Sequence, residues 1–476
     1  MSFRNHYVAL QTKTPLFAKI AFIFGVSMLL QLTLLYSNNS VGTVGKHIFN
    51  DSITYYRSAV NLANGDGYVN KQGEEPYFFR EPGTSYFYAA SVLLYKTVTG
   101  RSVVEPSFDN SHWPKDRDNQ NVIQLIRLTQ IILQALALVF LYLLLRHCFT
   151  DVFAFIATVI VALYPPLAFF SENLLRENLL FGVLMAMSYT FSSYIKKAAY
   201  WKLAIIGILW GVSALTLQVY MLLGIFLFPF VFIKTKQIIL TAKRCAMISL
   251  FFILTVSPWL VKVYSFYPDI RIAKSMGCAL TFDWGKLNGS LLYAQSHLQE
   301  PLANDTSDAD KLLDTNAYSY TTTELFDLTF NGDFNSMAQK LKIGYGAPSR
   351  MAKIKGNIAK LGRFILLPGY IPGYGAFMGE QDYRNSALVI FISLFVGACS
   401  IFGLCVSIGK TFYQLPVYLF HLMGFWILMS ESRRALPILP FCVLLGIIGF
   451  IKFIQIGFPK YRFSVYKNRQ HKFTSE

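Results

Sequence analysis

Apolar windows of about 20 residues, the length that crosses the roughly 30 Å hydrocarbon core of a bilayer, recur along the whole chain instead of gathering at one end. They predict spans over residues 15–36, 121–145, 152–170, 174–195, 201–217, 220–233, 245–264, 387–408, 412–430 and 436–456, an all-α polytopic membrane protein of about ten transmembrane helices. The first window is too long for a signal-peptide core and no small-residue cleavage site follows it, so it reads as a retained signal anchor. The windows 201–217 and 220–233 are short and meet at Gln218, where two spans, one broken helix or a re-entrant pair all fit.

The polar segments between these windows divide the chain further. A cytoplasmic N-terminus and first span (1–36) lead into a long polar loop (37–120), a transmembrane bundle (121–264), a second polar region (265–386), the last spans (387–457) and a basic tail (458–476). Neither long polar region reads as disordered, because aromatic residues are frequent in both. Residues 81–99 have helical spacing with Tyr86, Phe87, Tyr88 and Tyr95, which suits a helix lying at the membrane interface.

Composition agrees with a membrane protein: 54% of the residues are hydrophobic and only 14% charged, whereas a soluble domain is about a quarter charged. The net charge of +17 would suggest nucleic acid in a soluble chain. Here Arg4, Lys13, Arg146, His147, Lys196, Lys197, Lys202, Lys410 and the basic residues of 234–244 and 460–472 sit in short segments on one side of the predicted spans, where they set topology and meet lipid headgroups. By the positive-inside rule that side is the cytoplasm, and both long polar regions lie outside. Five of the six cysteines lie in or beside apolar windows and the histidines are scattered, so no disulfide framework or zinc-ligand spacing emerges.

Five outer segments carry the polar groups that could do chemistry. Asp51 opens a short helix in the first loop, with Tyr55 and Tyr56 one turn on and a Gly65–Gly67 turn closing it; capping alone would explain an acid there. Arg80 and Glu81 precede Pro82–Gly83 at the next helix start, a place where phosphate can bind. Arg176 and Glu177 stand at the outer mouth of a span, costly unless paired or facing a wet cavity. Lys262 follows Pro258–Trp259 at the outer end of another span, and Arg433 and Arg434 precede Pro437 and Pro440. Cations on this side run against the positive-inside trend, and an anionic lipid headgroup is one reason for them.

Taken in order, these segments resemble the GT-C superfamily of polytopic glycosyltransferases, specifically the dolichyl-phosphate-mannose-protein mannosyltransferase-like (glycosyltransferase family 39-like) group that includes the aminoarabinose transferase of lipid A. The resemblance rests on Asp51 with Tyr55, Ala59, Leu62, Gly65, Gly67 and Tyr68; on 80–83; on 171–177; on Pro258–Trp259 with Lys262 and Tyr264; and on 433–440. It implies a GT-C type helical bundle capped by extracytoplasmic loop helices, in a bacterial inner membrane, moving a sugar from a polyprenyl-phosphate donor to a lipid, glycan or protein acceptor.

On that resemblance Asp51 is the general base in an inverting transfer. Arg80, Lys262 and Arg433 hold the donor phosphate. Glu177, Tyr55, Tyr56 and Glu81 bind or orient sugar and acceptor. The chain departs from the family pattern at Ser52, where relatives carry Glu, at Lys262, where Arg is common, and at Arg434, where Tyr is usual. A lone carboxylate at the first of these sites is a poor magnesium or manganese cage, which weakens any divalent-metal role. A transporter or flippase of lipid-linked sugars is the main alternative. A non-catalytic subunit of an envelope complex, in which Asp51 would be dispensable, is another.

Overall fold

The computed structural model describes residues 15–41, 50–69, 81–108, 113–147, 149–163, 167, 170–171, 173–266, 399, 403, 447–453 and 455–456. The helix that carries Asp51 is described, but its side chain is not. In chain order the helices are α1 (Leu16–Val41), α2 (Asn50–Asn64), α3 (Gly83–Thr99), α4 (Arg117–Leu145), α5 (Asp151–Ala162), α6 (Arg176–Lys196), α7 (Tyr200–Thr216), α8 (Leu223–Thr235) and α9 (Ile238–Phe266), with a 3-10 turn over Gln218–Leu222 before α8.

Helices α1, α4, α6 and α9, and the 3-10 turn together with α8, are long and apolar enough to cross a membrane, while α5 and α7 are apolar but shorter. These elements answer to the first seven predicted spans. The last three predicted spans fall almost wholly outside the described residues, although Ile448 is fully buried in the main core.

Successive elements alternate in direction, and the two ends of the bundle differ in chemistry. At one end Asp151, at the start of α5, receives Lys19 of α1, the Arg146 Nε at 2.5 Å and the Tyr142 hydroxyl at 2.9 Å. Nearby ends are tied by His147 Nδ1 and Ser192 Oγ at 2.8 Å, and by Arg244 Nη1 donating to the Tyr194 hydroxyl at 2.9 Å. Lys202 donates to the carbonyls of Ser193 and Lys197. This is the end to which the basic connections were assigned, and its carbonyls and hydroxyls accept from the cations.

Helices α6, α7, α8 and α9 pack through small residues, as membrane helices do where lipid offers no hydrophobic drive to associate. Gly207 and Gly211, four apart on α7, lie against α9: a Cβ on Gly211 would stand 2.6 Å from Thr255 Cβ, and one on Gly207 would meet the Ile248 carbonyl. Gly182 of α6 admits Leu133 of α4 in the same way.

The junction at Gln218 is a sharp reversal. Leu217 is extended, the 3-10 turn follows, and α8 folds back along α7 so that Trp210 packs on Gly224, lies 6.0 Å from the Phe228 ring and donates its indole N–H to the Tyr220 carbonyl at 2.6 Å. The two windows are thus separate helices that reverse direction, as both two spans and a re-entrant pair require.

The predicted 152–170 span is shorter than its apolar window, since α5 ends at Ala162. The chain beyond it carries Pro165 and Pro166, which lack the N–H a helix needs. Helical residues resume at Leu167, Phe170 and Ser171, and the chain is then non-helical but buried at Asn173 to Leu175, just before α6. Its carbonyls need donors, and α4 supplies them: Gln130 Nε2 donates to Ser171 O at 2.9 Å and Asn173 O at 3.1 Å.

Helices α2 and α3 form a layer over the opposite end of the bundle. Tyr55, Tyr56, Ala59 and Val60 of α2 pack with Tyr88, Ala89, Val92 and Tyr95 of α3 and with Val122, Ile123 and Ile126 of α4. Helix α2 is closed by Gly65 and Gly67, both at φ 90, a conformation that glycine reaches without strain. Helix α3 ends at Gly100, which is left-handed and returns its N–H to Lys96 O.

Candidate functional site

The end of the bundle beneath the α2–α3 layer collects most of the sequence-predicted site residues that are described. Asp51 is the second residue of α2, inside its first turn and one turn before Tyr55; the helix N-terminus there favours an anionic side chain. Arg80 and Arg433 lie outside the described residues.

Tyr55 and Tyr56 are buried between α2, α3 and α4. The Tyr56 hydroxyl donates to Asn119 Oδ1 at 2.5 Å, and Asn119 in turn donates to Val104 O and Asp116 Oδ2. Burial first, then the charge of Asp116, holds the Tyr56 hydroxyl well above its usual 10.0. Both tyrosines therefore pack the loop layer.

Glu81, immediately before α3, is fully buried. Its Oε2 accepts from Arg176 Nη1 at 2.8 Å, and its Oε1 from the Gln218 backbone N–H at 3.4 Å. Arg176 opens α6 and is itself buried, so an ion pair spans the loop layer, α6 and the α7–α8 reversal. Gly83 makes this approach possible, because a Cβ there would stand 2.9 Å from Thr216 N.

Glu177 is buried beside this pair, within electrostatic reach of Tyr88 and Tyr220. The Tyr88 hydroxyl donates to Gln130 Oε1 at 2.8 Å. Burial, then Tyr55 and Glu177, keep that hydroxyl protonated well above 10.0.

Lys262 occupies the same end. The glycine turn after α2 docks on α9 here: Tyr68 meets Trp259 edge-on at 5.1 Å, its hydroxyl donates to Glu81 O at 3.3 Å, and a Cβ on Gly67 would lie 3.8 Å from Lys262 Nζ. Lys262 is half-buried. Among the described residues no carboxylate or other side chain pairs with its ammonium. A partly desolvated cation so placed is suited to a mobile or bound anion.

One feature of the site escaped the sequence reading. Arg127, Gln130 and Gln134 form a fully buried polar row on one face of α4. Arg127 stacks over Trp113 at 5.1 Å, Gln130 holds the segment before α6, and Gln134 bonds Asn178. Their spacing of three and four within an apolar window was the available signal.

Known proteins agree with this architecture. Residues 119–261 match the family model described as dolichyl-phosphate-mannose-protein mannosyltransferase. Among solved structures, an oligosaccharyltransferase from Archaeoglobus fulgidus, in complex with zinc and sulfate, superposes with a TM-score of 0.50 at 14% identity, covering 91% of this chain and 49% of that one. The oligosaccharyltransferase AglB of the same organism, with an inhibitory peptide and a dolichol-phosphate, gives 0.49 at 13% identity over 96% of this chain and 51% of that one. ArnT from Cupriavidus metallidurans, bound to undecaprenyl phosphate, gives 0.40 at 12% identity over 92% and 78%. No curated protein matches by sequence. The chain spans about half the length of the archaeal oligosaccharyltransferases it resembles. Over residues 119–261 the chain is similar to that mannosyltransferase family, and its described residues form a helical bundle with membrane-length apolar helices whose fold is similar to that of the archaeal oligosaccharyltransferase.

Proposed function

We propose that the protein transfers a sugar from a polyprenyl-phosphate-linked donor to an acceptor, lipid, glycan or protein, at the extracytoplasmic face of a bacterial inner membrane. The observation that carries this reading is the half-buried Lys262 ammonium, without a carboxylate partner among the described residues, at the same end as Asp51, Glu177 and the Gly67 turn.

In this reading Asp51 accepts the proton of the acceptor hydroxyl or amine as its oxygen or nitrogen attacks the anomeric carbon. The bond to the polyprenyl phosphate breaks on the opposite face, with inversion. Lys262, joined by Arg80 and Arg433 from the sequence pattern, receives the charge that develops on the departing phosphate. Glu177 orients the acceptor. A donor carried in the membrane suits an outward-facing site, because soluble nucleotide sugars are cytoplasmic.

A flippase of lipid-linked sugars is the second reading, and the interruption between two short apolar helices at Gln218 is the observation in its favour. Two facts weigh on the other side: that break is an antiparallel reversal closed by Trp210, and its polar contact is the structural carboxylate Glu81.

Reconstitution in vesicles with a radiolabelled polyprenyl-phosphate sugar separates the two. A transferase moves label covalently onto an acceptor with release of polyprenyl phosphate. Movement of intact donor between leaflets without any such product would overturn the proposal.

A further inference from the structure

We propose that Glu81 and Arg176 are a positioning pair that locks the α2–α3 layer onto the bundle and so fixes Asp51 relative to Lys262. This deepens, and rests on, the transferase reading above. It also reassigns Glu81 from contacting sugar or acceptor to acting through other residues.

Glu81 is fully buried, and both carboxylate oxygens are engaged, one by Arg176 and one by the Gln218 backbone. A group so enclosed has no surface left for a sugar. What its partners have in common is that they belong to other elements: Arg176 to the start of α6, Gln218 to the reversal between α7 and α8.

A buried ion pair is a weak source of stability compared with well-packed apolar residues, but its directional bonds select one arrangement. Here the arrangement selected is the seat of the α3 N-terminus. Gly83 fits against Thr216 with no room for a Cβ. The carbonyl of Glu81 also holds the Tyr68 hydroxyl, and Tyr68 in turn packs on Trp259, three residues before Lys262.

From that seat the order passes to the reacting groups by two routes. Through Tyr68 it reaches the Gly67 turn and Lys262. Through the packing of α3 on α2, where Tyr88 meets Tyr55, it reaches the first turn of α2 and Asp51. Glu81 and Arg176 thus sit where a single displacement would move the base and the phosphate cation relative to one another.

The test uses the full chain in lipid nanodiscs with two readouts, hydrogen exchange and steady-state transfer. In Glu81→Ala, exchange should rise about tenfold in residues 50–69 and 83–99 while α4 and α6 stay protected. Its kcat should fall about 100-fold with the donor KM within about threefold, the pattern of misplaced groups as opposed to lost donor contact. Glu81→Gln keeps one accepting oxygen, enough for one of the two bonds, and should fall between Glu81→Ala and wild type in both readouts.

Wild-type exchange and kcat in Glu81→Ala would overturn the pairing role, as would a rise in donor KM with kcat unchanged. Should that variant fail to insert, Arg176→Lys decides: it keeps the charge and loses the fork, so faster exchange and lower kcat support the role and no change in either overturns it. If the wild-type protein transfers no sugar, the transferase reading fails separately, and the exchange readout still judges the lock.

Discussion

At the scale of single residues the account turns on Lys262. Its ammonium is partly desolvated near the C-terminal end of α9 and lies beside Gly67 of the loop. Replacing it with glutamine should lower kcat/KM about 100-fold, the loss typical of one preorganised group that stabilises developing charge. Lys262→Arg should keep most of the activity, because it keeps a cation at that position. A Lys262→Gln variant at the wild-type rate in the transfer assay would remove this cation from the phosphate site. Lys262 was legible in the sequence as a cation on the side where cations are disfavoured. The partner of Arg176 was not legible: Glu81 lies 95 residues away in the chain, and no local pattern encodes which of several outer carboxylates a buried arginine will meet. The same limit hid the packing role of Tyr56, whose hydroxyl is taken by Asn119 from another helix.

At the scale of elements, the helices that carry the site are positioned by close small-residue contacts as much as by hydrophobic length. The α7–α9 seam is the clearest case. A leucine at Gly211 would have to displace Thr255 of α9, which stands 2.6 Å from the position of the first added atom. Overpacking of this kind costs about 1–3 kcal/mol or more, and the seam leads directly to Trp259 and Lys262. Gly211→Leu should therefore lower the unfolding temperature in detergent and reduce transfer, whereas Gly211→Ala should do so less; equal stability of the leucine variant would contradict the packing described. The long spans were readable from hydropathy, because burial in lipid demands about 20 apolar residues irrespective of partners. Helix α5 was overestimated because an apolar window does not register where prolines end hydrogen bonding. Gly207 and Gly211 were in plain view at a spacing of four, but only the facing helix shows that they are a seam.

At the scale of the whole molecule, the ends of the bundle are chemically distinct. One gathers Lys19, Arg146, Lys202 and Arg244 on carbonyls, hydroxyls and Asp151. The other gathers Glu81, Arg176, Glu177 and Lys262 beneath the α2–α3 layer. The first end carries the basic connections that the positive-inside rule assigns to the cytoplasm. Cysteines introduced at exposed Asp66 and Arg101, in a background free of the native six, should react with an impermeant thiol reagent in intact cells. A cysteine at exposed Gln237 should react only after permeabilisation. The opposite labelling would place the site in the cytoplasm and remove the reason for a lipid-linked donor.

The most direct measurement is sugar transfer by Asp51→Asn in membranes where insertion has been verified, using a radiolabelled polyprenyl-phosphate sugar. The account predicts a loss of about 100-fold to 10,000-fold in kcat, the range of a general base, with the donor still bound. Transfer at the wild-type rate would show that Asp51 serves only the N-terminus of α2, and the assignment of the base would be wrong.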